Sequence, residues 1–533
     1  MPSSVLDPSN TSLSAPSEPV PVAANVRPTV GFVSLGCPKN LVDSEVMMGL
    51  LQRAGGELTP RAEDADILVV NTCSFIDSAK QESVNTILEM AQHKQANGGR
   101  AQKLIVAGCL VERYRDEIRK NIPDVDAVVG TGELEAILNA AGLTPSPAPA
   151  ASASPFNILV SRAPSAVHQH SHPAEVGAQL TTEAIPSRPE GDLREQQGRF
   201  SRAAWDGASA TLPDYLYSDD TPRILTTPRS SAYIKIAEGC DHPCGFCIIP
   251  QLRGKFRSRR LESIIAEAEN LIAQGVREIT LIGQDTTCYG EDLGLKDGLA
   301  TLLDALALLP GLKWLRFLYA YPNKVTTRLL ETIARHENIA KYLDVPLQHA
   351  SPSVLKRMKR GGTPEVFLRL IEKARAIVPD IVLRTSFIVG FPGETEEDFA
   401  QLEQFIRDAK IDWLGVFSYS DEEGAAAFNL DDALKVPGRT IESRRRRLMK
   451  LQQKISAKSK AAWVGREVEL LVEGESEETE LLWEGRTLLH APEIDGKVFL
   501  NDFGPHETLV PGTFYRAEIT ESHDYDVVAR ILE

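Results

Sequence analysis

The chain has 533 residues, 42% of them apolar and 25% charged, which excludes both a single small module and a chain that is disordered throughout. Its 58 Lys and Arg against 74 Asp and Glu leave a formal charge of −16, which disfavours broad binding to nucleic acid or to an anionic membrane. Seven cysteines are too few, and odd in number, for a disulfide scaffold of this length; they point to a reducing compartment.

Residues 1–28, rich in Ser, Pro and Ala with no base before Arg27, read as a solvated, disordered tail rather than a signal peptide. No apolar run approaches the roughly 18 residues of a membrane helix, so a cytoplasmic location is expected. From Thr29 to residue 143, buried strands at Gly31 to Leu35, Asp66 to Val70, Lys103 to Ala107 and Asp126 to Val129 alternate with helices such as Asn40 to Ala54 and Asp77 to Gln92. That alternation predicts a doubly wound parallel sheet, in which ligands sit beyond the carboxyl ends of the strands. Cys37, Cys73 and Cys109 each follow one of the first three strands, so neighbouring strands would bring the three thiols to one rim. The alternative is that they are buried cysteines acting as small hydrophobes.

From residue 144 to 222 the composition collapses into low-complexity polar sequence, beginning Thr-Pro-Ser-Pro-Ala-Pro, which reads as a long linker. His168, His170 and His172 alternate inside it with no second ligand cluster nearby, which favours a polar tract over a metal site. Residues 223–460 return to strand and helix. Strands are expected at Ala232 to Ala237, Glu278 to Ile282, Trp314 to Leu318, Tyr342 to Val345, Val382 to Ile388 and Trp413 to Phe417, with helices such as Glu262 to Gln274 and Pro364 to Ile377. Six βα units predict a partial barrel of the triosephosphate isomerase kind, open on one side. Within it, Arg444 to Arg447 cannot share one helix face and read mostly as solvated surface, with contact to ribosomal RNA as the lesser alternative.

Residues 463–533 differ. Short strands at Val468 to Val472, Lys497 to Leu500, Phe514 to Ile519 and Val527 to Leu532, broken by Gly-containing turns, predict a small antiparallel β-barrel. It carries five bases against 17 acids, so a net −12 of the chain's −16 lies here. The overall class is α/β.

Directly after the first strand of the central region stands Glu-Gly-Cys-Asp-His-Pro-Cys-Gly-Phe-Cys, which sets Cys240, Cys244 and Cys247 at C-x3-C-x2-C spacing. Closely spaced thiolates on a loop suit iron-sulfur or soft-metal ligation. A four-iron cluster held by three cysteines keeps one iron open for a substrate or cofactor, whereas a zinc site would have to recruit His242 as fourth ligand.

This spacing at the first strand of such a barrel resembles the radical S-adenosylmethionine superfamily. The resemblance implies that the open iron of a 4Fe-4S cluster chelates S-adenosylmethionine and that one electron, from a reductant such as flavodoxin or ferredoxin, cleaves it to methionine and a 5′-deoxyadenosyl radical. Other stretches are similar to that superfamily's cofactor pocket: Gly283, Gln284 and Asp285 after the second strand, where the methionine amino group is held, and Arg384, Ser386 and Gly390, where ribose and adenine would lie. No catalytic residue is assigned. The three-part chain as a whole resembles the methylthiotransferases, in which Cys37, Cys73 and Cys109 would hold a second 4Fe-4S cluster with an iron free to carry sulfur, and the end barrel would be a TRAM domain of OB-like form. Cys288 is left over and reads as a wall residue near the pocket.

That family divides into enzymes acting on tRNA adenosine and enzymes acting on an aspartate of ribosomal protein S12. Gly-Cys-Pro-Lys-Asn at 36–40, Tyr-Ala-Tyr-Pro at 319–322, Tyr-Leu-Asp-Val-Pro-Leu-Gln-His at 342–349 and Ala-Pro-Glu-Ile-Asp-Gly at 491–496 are similar to the ribosomal-protein branch. The resemblance therefore implies methylthiolation of the aspartate β-carbon, with two S-adenosylmethionine molecules and a sulfur donor. Charge points the same way: an RNA-binding end domain should be basic, whereas one at −12 attracts a basic ribosomal protein.

Overall fold

The computed structural model describes residues 27–144, 212–476, 479 and 482–532. The histidines at 168, 170 and 172 lie outside the described residues. The first unit is a five-stranded sheet of β1 (Thr29–Ser34), β2 (Glu57–Thr59), β3 (Ile67–Thr72), β4 (Lys103–Gly108) and β5 (Ala127–Val129) in the order β2-β1-β3-β4-β5, every pair parallel. Alternation of side chains along each strand feeds two cores. Val30, Phe32, Ile67 and Val69 pack with helices α1 (Pro38–Arg53) and α4 (Ala136–Ala141), and Val33, Leu68 and Val70 pack with α2 (Asp77–Ala91) and α3 (Cys109–Asn121). Helices on both faces make the sheet doubly wound, as its sequence predicts.

Helix α1 has little amphipathic contrast because it is covered on both sides. Its apolar side meets the sheet. Its polar residues Asp43 and Glu45 are buried against the central unit, where Glu45 pairs with Arg223 at 2.6 Å and accepts from Thr226 at 2.8 Å.

The central unit holds six parallel strands, β6 (Ser231–Lys235), β9 (Glu278–Ile282), β10 (Trp314–Phe317), β11 (Tyr342–Asp344), β12 (Val382–Val389) and β13 (Trp413–Ser418). They run as β6-β9-β10 and β11-β12-β13, joined where Leu315 bridges Ile339 and Ala320 donates to the Asp344 carbonyl at 2.9 Å. Two short strands, β7 (Ala237–Glu238) and β8 (Arg257–Ser258), pair antiparallel and pinch off the loop between them. One apolar core, including Ile234, Leu281, Leu315, Leu343 and Phe387, binds the strands to the outer helices.

One expectation needs correction here. Residues 213–222, grouped with the linker by composition, pack across the first and central units: Tyr217 is 3% exposed, its hydroxyl donates to Glu267 at 3.2 Å, and Arg259 lies 4.1 Å over its ring. Tyr215 and Tyr217 in an otherwise polar stretch are too sparse a signal for compositional reading. The bases at 444–447 are mostly solvated, as expected, and Arg444 is the exception. Arg444 is buried and bonds Glu394 at 2.9 Å, and Arg445, Arg446 and Arg447 pair with Glu442, Glu396 and Glu403.

The end unit is a closed barrel, β14 (Glu467–Glu475), β15 (Trp483–Thr487), β16 (Val498–Asp502), β18 (Val527–Ile531) and β17 (Phe514–Ser522), antiparallel except for the β16–β18 pair. It docks on the amino ends of the central strands. Glu278, the first residue of β9, is fully buried between Arg316 at 3.0 Å and Arg486 of β15 at 2.6 Å, and Asp495 accepts from the Tyr342 hydroxyl at 2.7 Å. Burial alone would raise the Glu278 carboxyl, but Arg486 and Arg316 pull it down to about 2. A carboxyl lowered by folding adds stability above its unfolded value near 4.5 and loses it as pH falls toward 2; a shift of this size is worth on the order of 3 kcal/mol. We therefore expect the fluorescence of Trp314, which packs edge-on against Phe514 at 4.8 Å, to report loosening of this seam between pH 4.5 and 2. Glu278→Gln should flatten that dependence and lower the thermal midpoint at pH 7; an unchanged acid profile would remove Glu278 as its cause.

Candidate functional site

Cys37, Cys73 and Cys109 stand at the carboxyl ends of β1, β3 and β4, which are neighbours in the sheet. Cys37 caps the amino end of α1, with Pro38 as its first helical residue, and Cys109 opens α3. Both thiols therefore sit at helix amino termini. Gly36 and Gly108 carry the chain through left-handed turns, φ 93° at each. Neither tolerates a side chain: a Cβ on Gly36 would lie 2.8 Å from the Cys73 Cβ, and one on Gly108 would lie 2.3 Å from Asn71 Oδ1. Asn40 stitches the rim, donating to the carbonyls of Leu35 at 2.6 Å and Thr72 at 3.3 Å.

Cys240, Cys244 and Cys247 lie in the loop pinched by β7 and β8, at the carboxyl end of β6. Backbone bonds fix that loop: Cys240 N–H to the Gly254 carbonyl, Gly245 N–H to that of Met358 and Ala427 N–H to that of Gly245. Arg360 reaches Cys244 Sγ at 3.5 Å while lying 4.5 Å over Tyr321.

The donor sets fit a cluster better than a single ion. Burial pushes the Cys73 and Cys247 thiols up to about 12 and Cys240 to about 11, and the neighbouring thiols of each triplet add to the rise. Three crowded sulfurs ionise together only beside a cation, which iron would supply. In a tetrahedral zinc site, sulfurs lie about 3.8 Å apart. Among the described residues, the only three His, Cys or acidic donors all within 4.8 Å of one another are His242, Asp285 and Cys288, and neither cysteine triplet is that tight. His242, the fourth ligand of the zinc alternative, is engaged elsewhere: its Nε2 is 2.6 Å from Asp285 Oδ2 and its ring stacks on Tyr321 at 3.9 Å.

Of the expected pocket residues, Gly283, Gln284 and Asp285 leave β9 beside the cysteine loop. Gln284 donates to Glu238 at 2.6 Å, and its own Oε1 is buried without a partner. Burial alone would raise Asp285, but hydrogen bonds from His242, Thr287 and Cys288 hold it below the usual carboxylate range. Cys288 donates to Asp285 at 3.1 Å, which places it beside this motif. Arg384 does not join the group. It is the third residue of β12, and its guanidinium pairs with Asp344 at 2.8 Å and Asp495 at 3.7 Å, toward the end unit. Ser386 lies two residues further on, its carbonyl accepting from Gln348 N–H, and Gly390 N–H donates to Glu394 at 2.6 Å.

The two triplets share a seam. Cys109 packs in one apolar cluster with Ile248, the residue after Cys247, and with Leu252. Beside it Arg253 donates to Asp43 at 2.5 Å and to Asn40 Oδ1 at 3.1 Å, and Lys235 bonds Asp43 and, at 2.5 Å, Glu238. Arg253 also opposes the upward shift that burial imposes on Cys109. Lys39 crosses the same seam, its Nζ 3.4 Å from the centre of the Tyr319 ring and 3.5 Å from the Gly283 carbonyl. Sequence reasoning singled out neither base. The run Gly-Cys-Pro-Lys-Asn contains Lys39, but only the fold opposes it to Gly283.

Family models match in three places: Uncharacterized protein family UPF0004 at 29–130, the Radical SAM superfamily at 234–406 and the TRAM domain at 464–532. The chain is 67% identical over 94% of its length, and 96% of the relative's, to the ribosomal protein uS12 methylthiotransferase RimO of Koribacter versatilis. It is 54% identical to the protein of that name from Solibacter usitatus, over 94% of each chain, and 43% identical to that of Geobacter sulfurreducens, over 96% of this chain and all of the relative. Identity at that level over more than nine tenths of the chain leaves one assignment: the chain belongs to the ribosomal protein uS12 methylthiotransferase family.

Proposed function

We propose that this protein replaces a hydrogen on the β-carbon of an aspartate in ribosomal protein S12 with a methylthio group, acting in the cytoplasm with a reductant of the flavodoxin or ferredoxin class. Among the described residues no helix is long and apolar enough to cross a membrane. The observation that carries the reading is the seam itself, where Cys109 packs against the residue that follows Cys247. Cys37, Cys73 and Cys109 would hold one 4Fe-4S cluster, and Cys240, Cys244 and Cys247 the other. When bound, the clusters and S-adenosylmethionine supply the hydrogen-abstracting radical and the methyl group.

The chain's own residues set the geometry. Three thiols from adjacent strands and three from one loop fix two groups on facing rims. Gln284 and Asp285 present an unpartnered amide oxygen and a carboxylate held ionised, acceptors suited to an amino group. Asp43, Glu238, Lys235 and Arg253 lock the rims together without net charge. The acidic end barrel docks at the far ends of the central strands, so its field acts on the approach of a basic protein and not on the reacting atoms.

Anaerobic reconstitution with iron, sulfide, S-adenosylmethionine and reductant, followed by peptide mass spectrometry of S12 and nucleoside analysis of tRNA, tests the reading. The expected result is a methylthio mass increase on one S12 aspartate. A methylthiolated adenosine with unmodified S12 would replace it with the tRNA activity.

A further inference from the structure

Resting on the S12 reading, we propose that Lys39 is the binding group for the side-chain carboxylate of the substrate aspartate. Lys39 is 9% exposed and stands at the first turn of α1, two residues from Cys37. Its stem comes from the first unit, and its ammonium ends on the central one, against Gly283 and Tyr319. It therefore lies where both thiol rims are within reach of one ligand.

What distinguishes this base is its partners. The other buried bases of the seam are matched by acids: Lys235 by Asp43 and Glu238, Arg253 by Asp43, Arg223 by Glu45 and Glu267, and Arg113 by Glu422. Among the described residues no carboxylate oxygen lies within 4.0 Å of Lys39 Nζ. An ammonium has three donors, and here it meets one carbonyl at the limit of hydrogen bonding and the face of an aromatic ring. Tyr319 and the Cys37 thiol offset the cost of burying this charge without supplying a carboxylate, so donor capacity remains for an incoming one.

Tyr319 supports the same conclusion. It is one of few non-glycine residues in the left-handed region, φ 66°, and its N–H is fixed by Asp344 Oδ2 at 2.9 Å. Such a conformation persists only where surrounding contacts impose it, and it concentrates at ligand-holding positions. Here it turns the ring under the Lys39 ammonium, which fixes the cation while leaving donors for a second partner. A carboxylate held there would set the adjacent β-carbon between the two rims, and an asparagine, lacking the charge, would be discriminated against.

The test crosses two substitutions in the reconstituted full-length protein: Lys39→Met in the enzyme and Asp→Asn at the modified position of S12. Affinity of the four pairs is measured anaerobically, with Lys39→Arg as the conservative variant and with iron, sulfide and electron paramagnetic resonance spectra recorded for each. Wild type should favour the aspartate protein by about 30-fold or more, the loss expected when one partner of a buried charge pair is removed. Lys39→Met should bind both proteins alike, Lys39→Arg should regain part of the preference, and cluster content and spectra should not change. A Lys39→Met enzyme that keeps the wild-type preference, or whose cluster spectra change while its preference does not, overturns the proposal and makes Lys39 a counter-charge for the thiolates. Failure of the wild type itself to modify S12 removes the S12 reading, and this proposal with it, a result distinguishable because it does not involve Lys39.

Discussion

Serine at position 109 is expected to abolish methylthiolation, by a factor of about 1,000 or more, while iron falls from about eight to about four atoms per chain. Cys109 is 7% exposed, opens helix α3, and is the thiol of its triplet that packs against the central unit. A serine there keeps the volume and the helix but removes a soft ligand that oxygen does not replace. The loop at 240–247 is built from its own backbone bonds and should keep its iron and its spectrum. Cys247→Ser should give the mirror result, with the rim at Cys37, Cys73 and Cys109 retained. Iron analysis and mass spectrometry of S12 on the same samples check both, and product from a Cys109→Ser enzyme would sink the two-cluster assignment.

Arg253→Met is expected to lower stability by about 3 kcal/mol and to loosen the seam between the first and central units. Arg253 is 2% exposed and lies between Asp43, Glu238 and Asn40. Removing it leaves two buried carboxylates sharing Lys235. Burial opposes ionisation of Glu238, and its carboxyl stays low chiefly because Lys235 and Arg253 face it, with a hydrogen bond from Gln284 adding to the effect. The loss should therefore be largest at neutral pH, where Glu238 is ionised, and should shrink as acid protonates it. Asp43→Asn added to Arg253→Met should restore part of the stability, because it deletes the charge left unpaired. Arg446→Ala, at an exposed ion pair with Glu442, should change stability by less than about 0.5 kcal/mol and serves as the control. Thermal unfolding of the four proteins across pH decides this; an Arg253→Met protein as stable as wild type would mean that water reaches the seam.

The contrast between these residues explains what the sequence conveys. The alternation of short apolar runs with helices predicts the doubly wound sheet, and cysteines placed one per strand end predict a shared rim, because both rules act over a few residues. Strand β2 escapes notice because three residues after two glycines show no period. β15 is obscured by the acidic run before it and by Gly485 within it. Arg253 and Lys39 look like ordinary surface bases, and their meaning depends on partners 210 and 244 positions away along the chain. Arg384 is similar: its motif context suggests a cofactor contact, and its pairing with Asp344 and Asp495, both distant along the chain, is visible only in the fold.

The covering of Cys109 by Ile248 and Leu252 has a consequence for biosynthesis. The ribosome delivers all three cysteines of the first sheet long before the segment that roofs them, and the roof carries Arg253, which favours ionised sulfur at Cys109. A nascent chain that has completed only the sheet holds its thiols at an open edge, without that cation and without shelter from oxidants. Maturation of the first rim therefore waits on translation of the second, and a chain terminated between them should accumulate as a metal-poor, oxidation-prone fragment.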